Sequence, residues 1–593
     1  MYFPQYVNNS MGREMLTTFG GYNHNLSCSD GEFFDMTNMT TRYFPVLSPR
    51  KKRGVCRAFE NPQGLIEKDG LVWVENGKLF IDGAEKTLEA SISTAGEKNI
   101  VKMGAYIVIF PDKVWYNTAD DTSGEIESRF INDSEEVSFS LCDASGKAIE
   151  WHDEAYYKDK TPETGNYLMT TLNGKSTLKQ WSSATSIWVN VNTTYMQISL
   201  PGIGAKFKKG DGVKITLDLT DIEWEAAKNI FVNDEGDNKV SVTTCITDLT
   251  DDCITIVGIL GENKKLTLPI EVAREVPDMD FVTECNNRLW GCSSDGHEVY
   301  CCKLGDVTNW YAYAGISTDS WAATIGSDGK FTGAATYLGN PIFFKEDCMI
   351  KIIVSSTGAH RTVETSCRGV QSGSYKSLCI VNEMLYYKSA DAVCAYGGSQ
   401  PQTISNSLGE VRYSGAVGGT IEDRYYISMK DTTGKYSLFV FDTKKGLWSR
   451  EDNTEVMFFC RHGEDLYYID AADKKLKSVY GTLLYHDGYE ESEKRIRWEV
   501  ESGNLGFSSP DNKYVSRINI RLSMEIGTIV DFYIQYDSSG DWEHVFNMTG
   551  KATKSFTIPV MPRRCDHFKY RLEGIGDCKV FSITKTVEEG SDI

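Results

Sequence analysis

The chain has 593 residues, of which 41% are hydrophobic and 12% aromatic, so it can bury several cores and differs from a disordered protein. Its formal net charge of −21 disfavours a protein that grips nucleic acid, because phosphate binding needs clustered Lys and Arg. The chain shows no leader-like start and no run of eighteen apolar residues. We therefore expect no secretion signal, no membrane span, and synthesis in a cytoplasm.

The first 55 residues form a turn-rich segment that we expect to close or dock the rest of the chain. It contains Gly20 and Gly21, Asn38 and the proline-bearing stretch YFPVLSPR (43–50). Four adjacent basic residues follow, and such a run predicts a solvated turn or an interface patch rather than a nucleic-acid or targeting element. The candidate contact residues of the segment are aromatic and basic: Phe33, Phe34, Tyr43, Phe44, Arg50, Lys51, Lys52 and Arg53.

Residues 56–130 predict β-hairpins. In LVWVENGKLFID (71–82), two apolar runs flank an Asn-Gly pair, which supplies the two positive φ angles of a type I′ turn. The stretch AYIVIFPDKVWYN (105–117) repeats this form around Pro-Asp. The same unit returns throughout 276–490, as in SLCIVNEMLYYKSADAVCAYGG (377–398), and it indicates short antiparallel strands.

These repeats predict an all-β protein whose main part is a β-propeller. A four-stranded unit of about 40–45 residues is typical of a propeller blade, which buries its faces only against neighbouring blades. The first part of the propeller is predicted at 56–130 and the second at 276–490. Together they predict about six blades, with five or seven as alternatives.

Two further β-rich units are expected. Residues 131–275 interrupt the repeat with polar linkers and longer strands, which predicts an inserted domain with one short helix near 221–229. The charge run at 486–495 predicts a linker. After it, residues 491–593 alternate apolar and polar positions, which favours a C-terminal β-sandwich.

The search for chemistry gives a negative expectation. The sequence has no phosphate-binding loop, GxSxG elbow, HExxH motif or dinucleotide-binding glycine motif. Its sixteen cysteines form no CxxC pair, so we interpret them as reduced core residues. The acidic stretch NDEGDN (233–238) lacks the spacing of a calcium loop. The sequence thus implies no metal and no cofactor, and we expect a protein without enzymatic activity.

The opening segment resembles the N-terminal segment of the tail nozzle, or tail-hub, proteins of short-tailed bacteriophages. The resemblance lies in the glycine turn, the Asn within DMTNMT (35–40), YFPVLSPR (43–50) and Arg53-Gly54 ahead of the first hairpin. It extends to the order of domains, with FTIPVMPRRCDHFKYRLEG (556–574) closing a sandwich behind the propeller. The long insertion departs from the family pattern.

This resemblance implies a structural protein of the virion tail, made in the host bacterial cytoplasm. In the family, several copies, with six suspected here, form a homo-oligomeric ring below the portal and adaptor rings. The ring encloses the channel through which DNA passes without specific binding, and it contacts tail fibres. The N-terminal segment would close the ring of blades or dock on a neighbour, and a simple lid over the propeller is the alternative. The alternative functions are a carbohydrate- or receptor-binding propeller and, with weaker support, a glycosidase.

Overall fold

The computed structural model describes residues 11–172, 175–482, 491–507 and 512–589. Almost every regular element in these ranges is a β-strand, as the alternating sequence pattern predicts. None of the helices in the described part of the chain is long and apolar enough to cross a membrane.

The main body is a β-propeller with seven blades in the described residues, each built from four antiparallel strands, and blade 7 carries a fifth short strand. Asn76 and Gly77, with φ of 50° and 72°, form the predicted tight turn of the first blade. The strands of blades 1 to 7 are, in order, Pro62–Glu67, Leu71–Glu75, Lys78–Ile81 and Ala84–Lys86; Asn99–Met103, Tyr106–Phe110, Val114–Asn117 and Thr122–Glu125; Met279–Glu284, Leu289–Ser293, Glu298–Cys301 and Trp321–Thr324; Gly333–Tyr337, Asn340–Phe344, Cys348–Ile353 and Arg361–Ser366; Cys379–Val381, Met384–Lys388, Val393–Tyr396 and Gln402–Thr403; Tyr413–Ile421, Arg424–Asp431, Tyr436–Asp442 and Leu447–Arg450; Val456–His462, Asp465–Asp470, Lys475–Ser478 and Gly54–Ala58. Short 3₁₀ helices lie at Tyr375–Ser377 and Asn406–Leu408.

The prediction of about six blades is one short. Blade 7 takes its fourth strand, Gly54–Ala58, from the other end of the propeller sequence, where it pairs antiparallel with Lys475–Ser478. The short strand Glu491–Ser492 pairs with its outer side. Two complete blades fit between 62 and 125 and five begin between 279 and 456, because each blade takes fewer residues than the sequence estimate assumed.

Apolar cores between successive blades hold the ring together. Large side chains from adjacent blades share a core at each of the seven junctions: Val72 with Ile107, Val108 with Leu289, Trp290 with Phe343, Phe344 with Tyr387, Tyr386 with Tyr425, Tyr426 with Tyr468, and Tyr467 with Trp73. Because every blade is covered on both faces by its neighbours, the ring is closed.

The chain leaves the propeller after blade 2 to form the inserted domain. Two five-stranded sheets enclose one apolar core, and a third, four-stranded sheet packs beside them. The strands of the three sheets are, in spatial order, Ser128–Asn132, Ile270–Arg274, Gly212–Asp218, Lys239–Cys245 and Asn233–Gly236; Asp248–Thr250, Cys253–Val257, Tyr195–Ser199, Glu136–Cys142 and Lys264–Thr267; Trp151–His152, Tyr167–Leu172, Lys175–Ser182 and Ile187–Asn190. A short α-helix, Glu154–Tyr157, and a 3₁₀ helix, Glu225–Asn229, accompany them.

Buried polar contacts attach the insertion to the propeller. The Arg274 guanidinium lies 2.8 Å from the Asp211 carboxylate, and both side chains are buried. Arg274 also donates to the carbonyl of Ile126, at the end of blade 2. Asn309 of blade 3 accepts a hydrogen bond from the Gly212 amide and donates one to the Gly210 carbonyl. These bonds satisfy groups that would otherwise be buried without partners.

The C-terminal domain is a β-sandwich that includes strands from the N-terminus. Its two sheets face each other across a core that contains Trp498, Ile520, Phe532 and Tyr570. In spatial order the strands are Met11–Leu16, Cys578–Glu589, Lys513–Met524 and Thr553–Ile558, with Arg564–Cys565 on Lys513–Met524, in one sheet, and Gly21–Tyr22, Glu32–Thr37, Arg497–Ser502, Phe568–Ile575, Ile529–Tyr536 and Glu543–Thr549 in the other.

Candidate interface around the N-terminal segment

The predicted N-terminal segment connects the sandwich to the propeller. Its strand Met11–Leu16 pairs with Cys578–Glu589, and Glu32–Thr37 pairs with Arg497–Ser502. A two-residue ladder of Met39–Thr40 with Ser48–Pro49 follows, before the chain enters blade 7. The segment predicted at 1–55 therefore contributes strands both to the sandwich and to blade 7. The predicted linker at 486–495 falls partly outside the described residues.

The two candidate phenylalanines have different environments. Phe33 has no exposed surface and belongs to the sandwich core near Phe19. Phe34 is half-buried, and its ring stacks on His24 with centroids 4.3 Å apart. Strand alternation explains the difference, because successive side chains point to opposite faces of the sheet. Phe33 contributes to folding, and it is not available to a partner.

Tyr43 and Phe44 form an exposed corner. They are 40% and 37% exposed. The ammonium group of Lys579 lies 4.4 Å from the centroid of the Tyr43 ring, and that of Lys445 lies 6.0 Å from the Phe44 ring. Aromatic rings held beside cations at a surface can take part in a contact with another protein.

The basic run divides into two buried and two exposed residues. Arg50 and Arg53 are 7% and 6% exposed. Arg50 lies 2.6 Å from Glu493, and Arg53 lies 2.6 Å from Glu451 and 2.7 Å from Asp452. Both arginines are thus bound to carboxylates of their own chain, and their predicted contact with a partner remains a prediction.

Burial and the arginines act in opposite directions on the partner carboxylates. Burial raises the pKa of Asp452, but the Arg53 charge and a hydrogen bond from Thr454 outweigh it, so that this pKa lies at about 2. Burial likewise raises the pKa of Glu493, but the hydrogen bond and the charge of Arg50 have the larger effect, so the pKa of Glu493 lies below its ordinary value. Each lowered pKa means that the ionised carboxylate stabilises the fold.

Asn38 adds contacts that join the N-terminal segment to the sandwich. Its backbone has φ of +57°, a left-handed conformation that Asn tolerates better than most residues. Its side-chain carbonyl accepts a hydrogen bond from Arg50 Nε at 2.7 Å, and its side-chain amide donates to the Arg497 carbonyl at 2.8 Å. Nearby, Arg450 of blade 6 lies 3.0 Å from Asp35. The N-terminal segment is therefore fixed to the sandwich and to blade 6 by polar contacts as well as by strand pairing.

Lys51 and Lys52 line a groove between blade 7 and the sandwich, which we call the basic groove. The groove has a volume of about 460 Å³, and Lys494 and Arg495 line it from the sandwich side. Lys51 lies 4.7 Å from the ring centroid of Tyr480. Within the described ranges, none of these four cations forms an ion pair. The groove thus concentrates positive charge on an acidic protein.

Two carboxylates lie in the same groove. Burial raises the pKa of Asp577, the neighbouring Glu525 charge raises it further, and Lys579 and Lys52 oppose both effects.

Sequence reasoning found Lys51 and Lys52 but missed Lys494 and Arg495, because they end a charge run that predicts a linker. Their position opposite the first two lysines depends on how the sandwich packs against blade 7.

The centre of the propeller is crossed by side chains. Lys376, which precedes blade 5, lies 2.8 Å from Glu97, which precedes blade 2, and donates to the Met457 carbonyl of blade 7 at 3.0 Å. Tyr375 packs against Phe281 of blade 3 with ring centroids 5.2 Å apart. Groups from blades 2, 3, 5 and 7 can meet only near the axis, so these side chains obstruct the centre of the propeller.

The weak calcium candidate is an edge strand and its turn. Asn233–Gly236 pairs with Lys239–Cys245, and Glu235 accepts a hydrogen bond from Ser241. Across the described ranges, no group of three or more His, Cys, Asp or Glu side chains is placed to hold a metal ion.

Comparison with known proteins finds no matching family model and no match among curated proteins. The solved structures to which the chain is similar include Kluyveromyces lactis Hsv2, at 12% identity and a TM-score of 0.25, covering 52% of this chain and 94% of that one. An exo-β-1,3-galactanase from Phanerochaete chrysosporium has 8% identity and a TM-score of 0.19, covering 85% and 99%. A glycoside hydrolase family 43 arabinoxylan arabinofuranohydrolase from Bacillus subtilis has 9% identity and a TM-score of 0.14, covering 71% and 94%.

These similarities correct one expectation from the sequence. We expected a protein without enzymatic activity, and the glycoside hydrolases among the similar structures contradict that expectation. At TM-scores of 0.14 to 0.25 the matches support no particular activity for this chain. The propeller fold rests on the seven sheets and their shared cores.

Proposed function

We propose that this protein is a structural component of the tail of a short-tailed bacteriophage. Several copies would form a ring below the portal and adaptor, surround the DNA exit channel and support the tail fibres. The observation that carries this proposal is the junction built by the N-terminal segment, because the residues that carry the resemblance are also those that fix the sandwich to the propeller. Asn38, Arg50 and Arg53 are the clearest examples.

A fixed junction suits a subunit of a ring. Strand pairing at both ends of the N-terminal segment and the ion pairs of Arg50 and Arg53 oppose rotation of the sandwich against the blades. Because the propeller axis is crossed by Lys376 and Glu97, a DNA channel would lie between copies rather than through one copy. The net charge of −21 would let a polyanion pass such a wall without binding to it.

Mass spectrometry of purified, DNA-filled particles tests this proposal. We expect peptides of this chain in particles that have passed through a density gradient, in an amount that corresponds to several copies per portal ring. A host cytoplasmic protein measured in the same fractions provides the control for contamination. Particles that infect normally and contain none of this chain would refute the proposal.

We infer a second candidate function, carbohydrate or receptor binding, from the third sheet of the insertion. Trp181 and Trp188 pair across two strands with ring centroids 5.2 Å apart, and Tyr157 lies 5.0 Å from Trp188. An adjoining pocket of about 440 Å³ is lined by Tyr157, His152 and Asn166 among other residues. Aromatic rings together with a few polar groups are typical of ligand pockets.

Binding of host-envelope polysaccharide, followed by tryptophan fluorescence, tests this second function. We expect a saturable change that Trp188→Ala abolishes. Trp542→Ala is the matched control, because Trp542 is a partly exposed tryptophan on the sandwich beside Arg571. An equal response from both variants, or no response from the unchanged protein, would exclude binding of that polysaccharide at this sheet.

A further inference from the structure

The basic groove carries more positive than negative charge, because Lys51, Lys52, Lys494 and Arg495 line it together with only two carboxylates, those of Glu525 and Asp577. Lys52, Lys494 and Arg495 are exposed, and none of them has an ion-pair partner among the described residues. Ile526, at the rim of the groove, is 84% exposed. An unpaired cluster of cations around an exposed aliphatic side chain is suited to a partner that is acidic and partly apolar.

The inserted domain has a surface of the opposite kind, which we call the acidic edge. Asn233–Gly236 is the outermost strand of its sheet, and all four residues are exposed. Asp234 is exposed on this strand. Asp221 and Glu223 are exposed in the segment after Thr220, whose hydroxyl donates to the Asp237 carbonyl at the turn that follows the strand. None of these three carboxylates forms an ion pair within the described ranges. Val232, beside them, is 68% exposed.

We propose that the basic groove of one copy binds the acidic edge of the next copy. This inference rests on the proposed ring, and it names the surfaces that would join the copies. Opposite charges and one exposed aliphatic side chain on each surface, Ile526 and Val232, make the two surfaces complementary. The partner is a second copy because the chain itself carries the complementary surface.

The positions of the two surfaces agree with a ring. The insertion leaves the propeller between blades 2 and 3, whereas the groove lies beside blade 7. Blades 1 and 2 separate the two surfaces on one side, and blades 3 to 6 separate them on the other. A contact between two different surfaces of identical subunits is head-to-tail, and such contacts close into rings when the rotation allows it.

Charge reversal tests the contact on the full-length protein. One variant carries Lys52→Glu, Lys494→Glu and Arg495→Glu, and the other carries Asp221→Lys, Glu223→Lys and Asp234→Lys. We expect each variant to weaken self-association by more than about 100-fold, because like charges would then face each other. A mixture of the two variants, and a chain that carries both sets of changes, should associate again. Sedimentation and circular dichroism give the assembly state and the fold.

A control variant separates a local effect from a change in net charge. Lys330→Glu, Lys435→Glu and Lys551→Glu change three exposed lysines that lie outside both surfaces. This variant should associate like the unchanged protein. The acidic edge could also serve only to prevent strand pairing between sheets. In that case, reversing its charges would not weaken association, and reversing both sets of charges together would restore nothing.

The outcomes distinguish this inference from the proposed function. If folded groove or edge variants associate like the unchanged protein, or if the unchanged chain stays monomeric at every concentration tested, the inference is wrong. Detection of the chain in purified particles would still support the proposed function. Absence from particles together with charge-dependent self-association would support the contact and refute the tail location.

Discussion

At the scale of single residues, position in the fold separates four adjacent basic side chains into two roles. Arg50 and Arg53 are buried against Glu493, Glu451 and Asp452, whereas Lys51 and Lys52 are exposed in the basic groove. A buried cation must keep its carboxylates, because an unpaired buried charge is costly. Replacing all four residues together would therefore destabilise the monomer as well as change its surface.

The lowered pKa of Asp452 gives a stability that depends on pH. Its folded-state pKa of about 2 lies below the ordinary value, so the ionised form stabilises the fold above about pH 4 and this contribution is lost as the pH falls toward 2. We expect Asp452→Asn to lower the free energy of unfolding by about 2 kcal/mol at pH 7, with the difference from the unchanged protein shrinking below about pH 4.

Urea unfolding followed by tryptophan fluorescence, at a series of pH values, measures this difference. Asp69→Asn is the control, since the Asp69 side chain is 92% exposed. We expect little change from that variant at any pH. A loss of stability in Asp452→Asn that stays constant from pH 7 to pH 3 would show that charge on Asp452 is not the cause.

At the scale of elements, the strands of the N-terminal segment are integral parts of distant sheets. Glu32–Thr37 lies between Gly21–Tyr22 and Arg497–Ser502 in a sandwich sheet, and Gly54–Ala58 is the fourth strand of blade 7. A closing strand supplied from the opposite end of a repeat array satisfies an edge that would otherwise expose unpaired backbone groups. The N-terminal segment therefore connects the sandwich to the propeller through paired strands. Tyr43 and Phe44 form its exposed corner.

Neighbouring phenylalanines on the strand Glu32–Thr37 test the contribution of this segment to the sandwich. Phe33→Ala should destabilise the protein by about 3–5 kcal/mol, because the Phe33 side chain is fully buried and its removal leaves a cavity in the sandwich core. Phe34→Ala should cost less than about 2 kcal/mol, since Phe34 is only half-buried. Thermal unfolding of both variants measures the difference. Equal losses would mean that the strand does not contribute to the core as described.

At the scale of the whole molecule, the inserted domain joins the propeller at a single point of the chain path. Its first and last strands, Ser128–Asn132 and Ile270–Arg274, pair with each other, so the chain leaves and returns at one place. The hydrogen bonds from Arg274 to the Ile126 carbonyl and those of Asn309 with Gly210 and Gly212 make the buried polar attachment. The apolar core of the insertion contains no residue of the blades, so the cores between the blades do not depend on it.

Removal of the insertion should therefore leave a folded propeller. We expect a chain with residues 129–273 replaced by a short Gly/Ser bridge to be soluble, since Ser128 and Arg274 are paired across two strands and lie about 5 Å apart. Circular dichroism should retain a strand spectrum, and limited proteolysis should leave the remainder intact. Aggregation of the shortened chain under conditions where the full chain is soluble would show that the propeller needs the insertion.

Local sequence pattern by itself determined the β class, the hairpins and the repeated unit. Apolar alternation and turn pairs such as Asn76-Gly77 act over a few residues, so their consequences can be predicted without the fold. The insertion and the C-terminal sandwich were predicted for the same reason, because each changes the spacing of those patterns. Only the tertiary structure decided the seventh blade, since the partner of Gly54–Ala58 lies more than four hundred residues away.

Long-range pairing also decided which candidate residues are exposed. Met11–Leu16 pairs with Cys578–Glu589, and the carboxylates that bury Arg50 and Arg53 come from residues 451, 452 and 493. A four-residue basic run contains no information on these partners, because burial of a charge depends on groups brought together by packing rather than by sequence spacing. The basic groove arises in the same way, where blade 7 meets the sandwich, and its second pair of cations was unpredictable from local sequence for that reason.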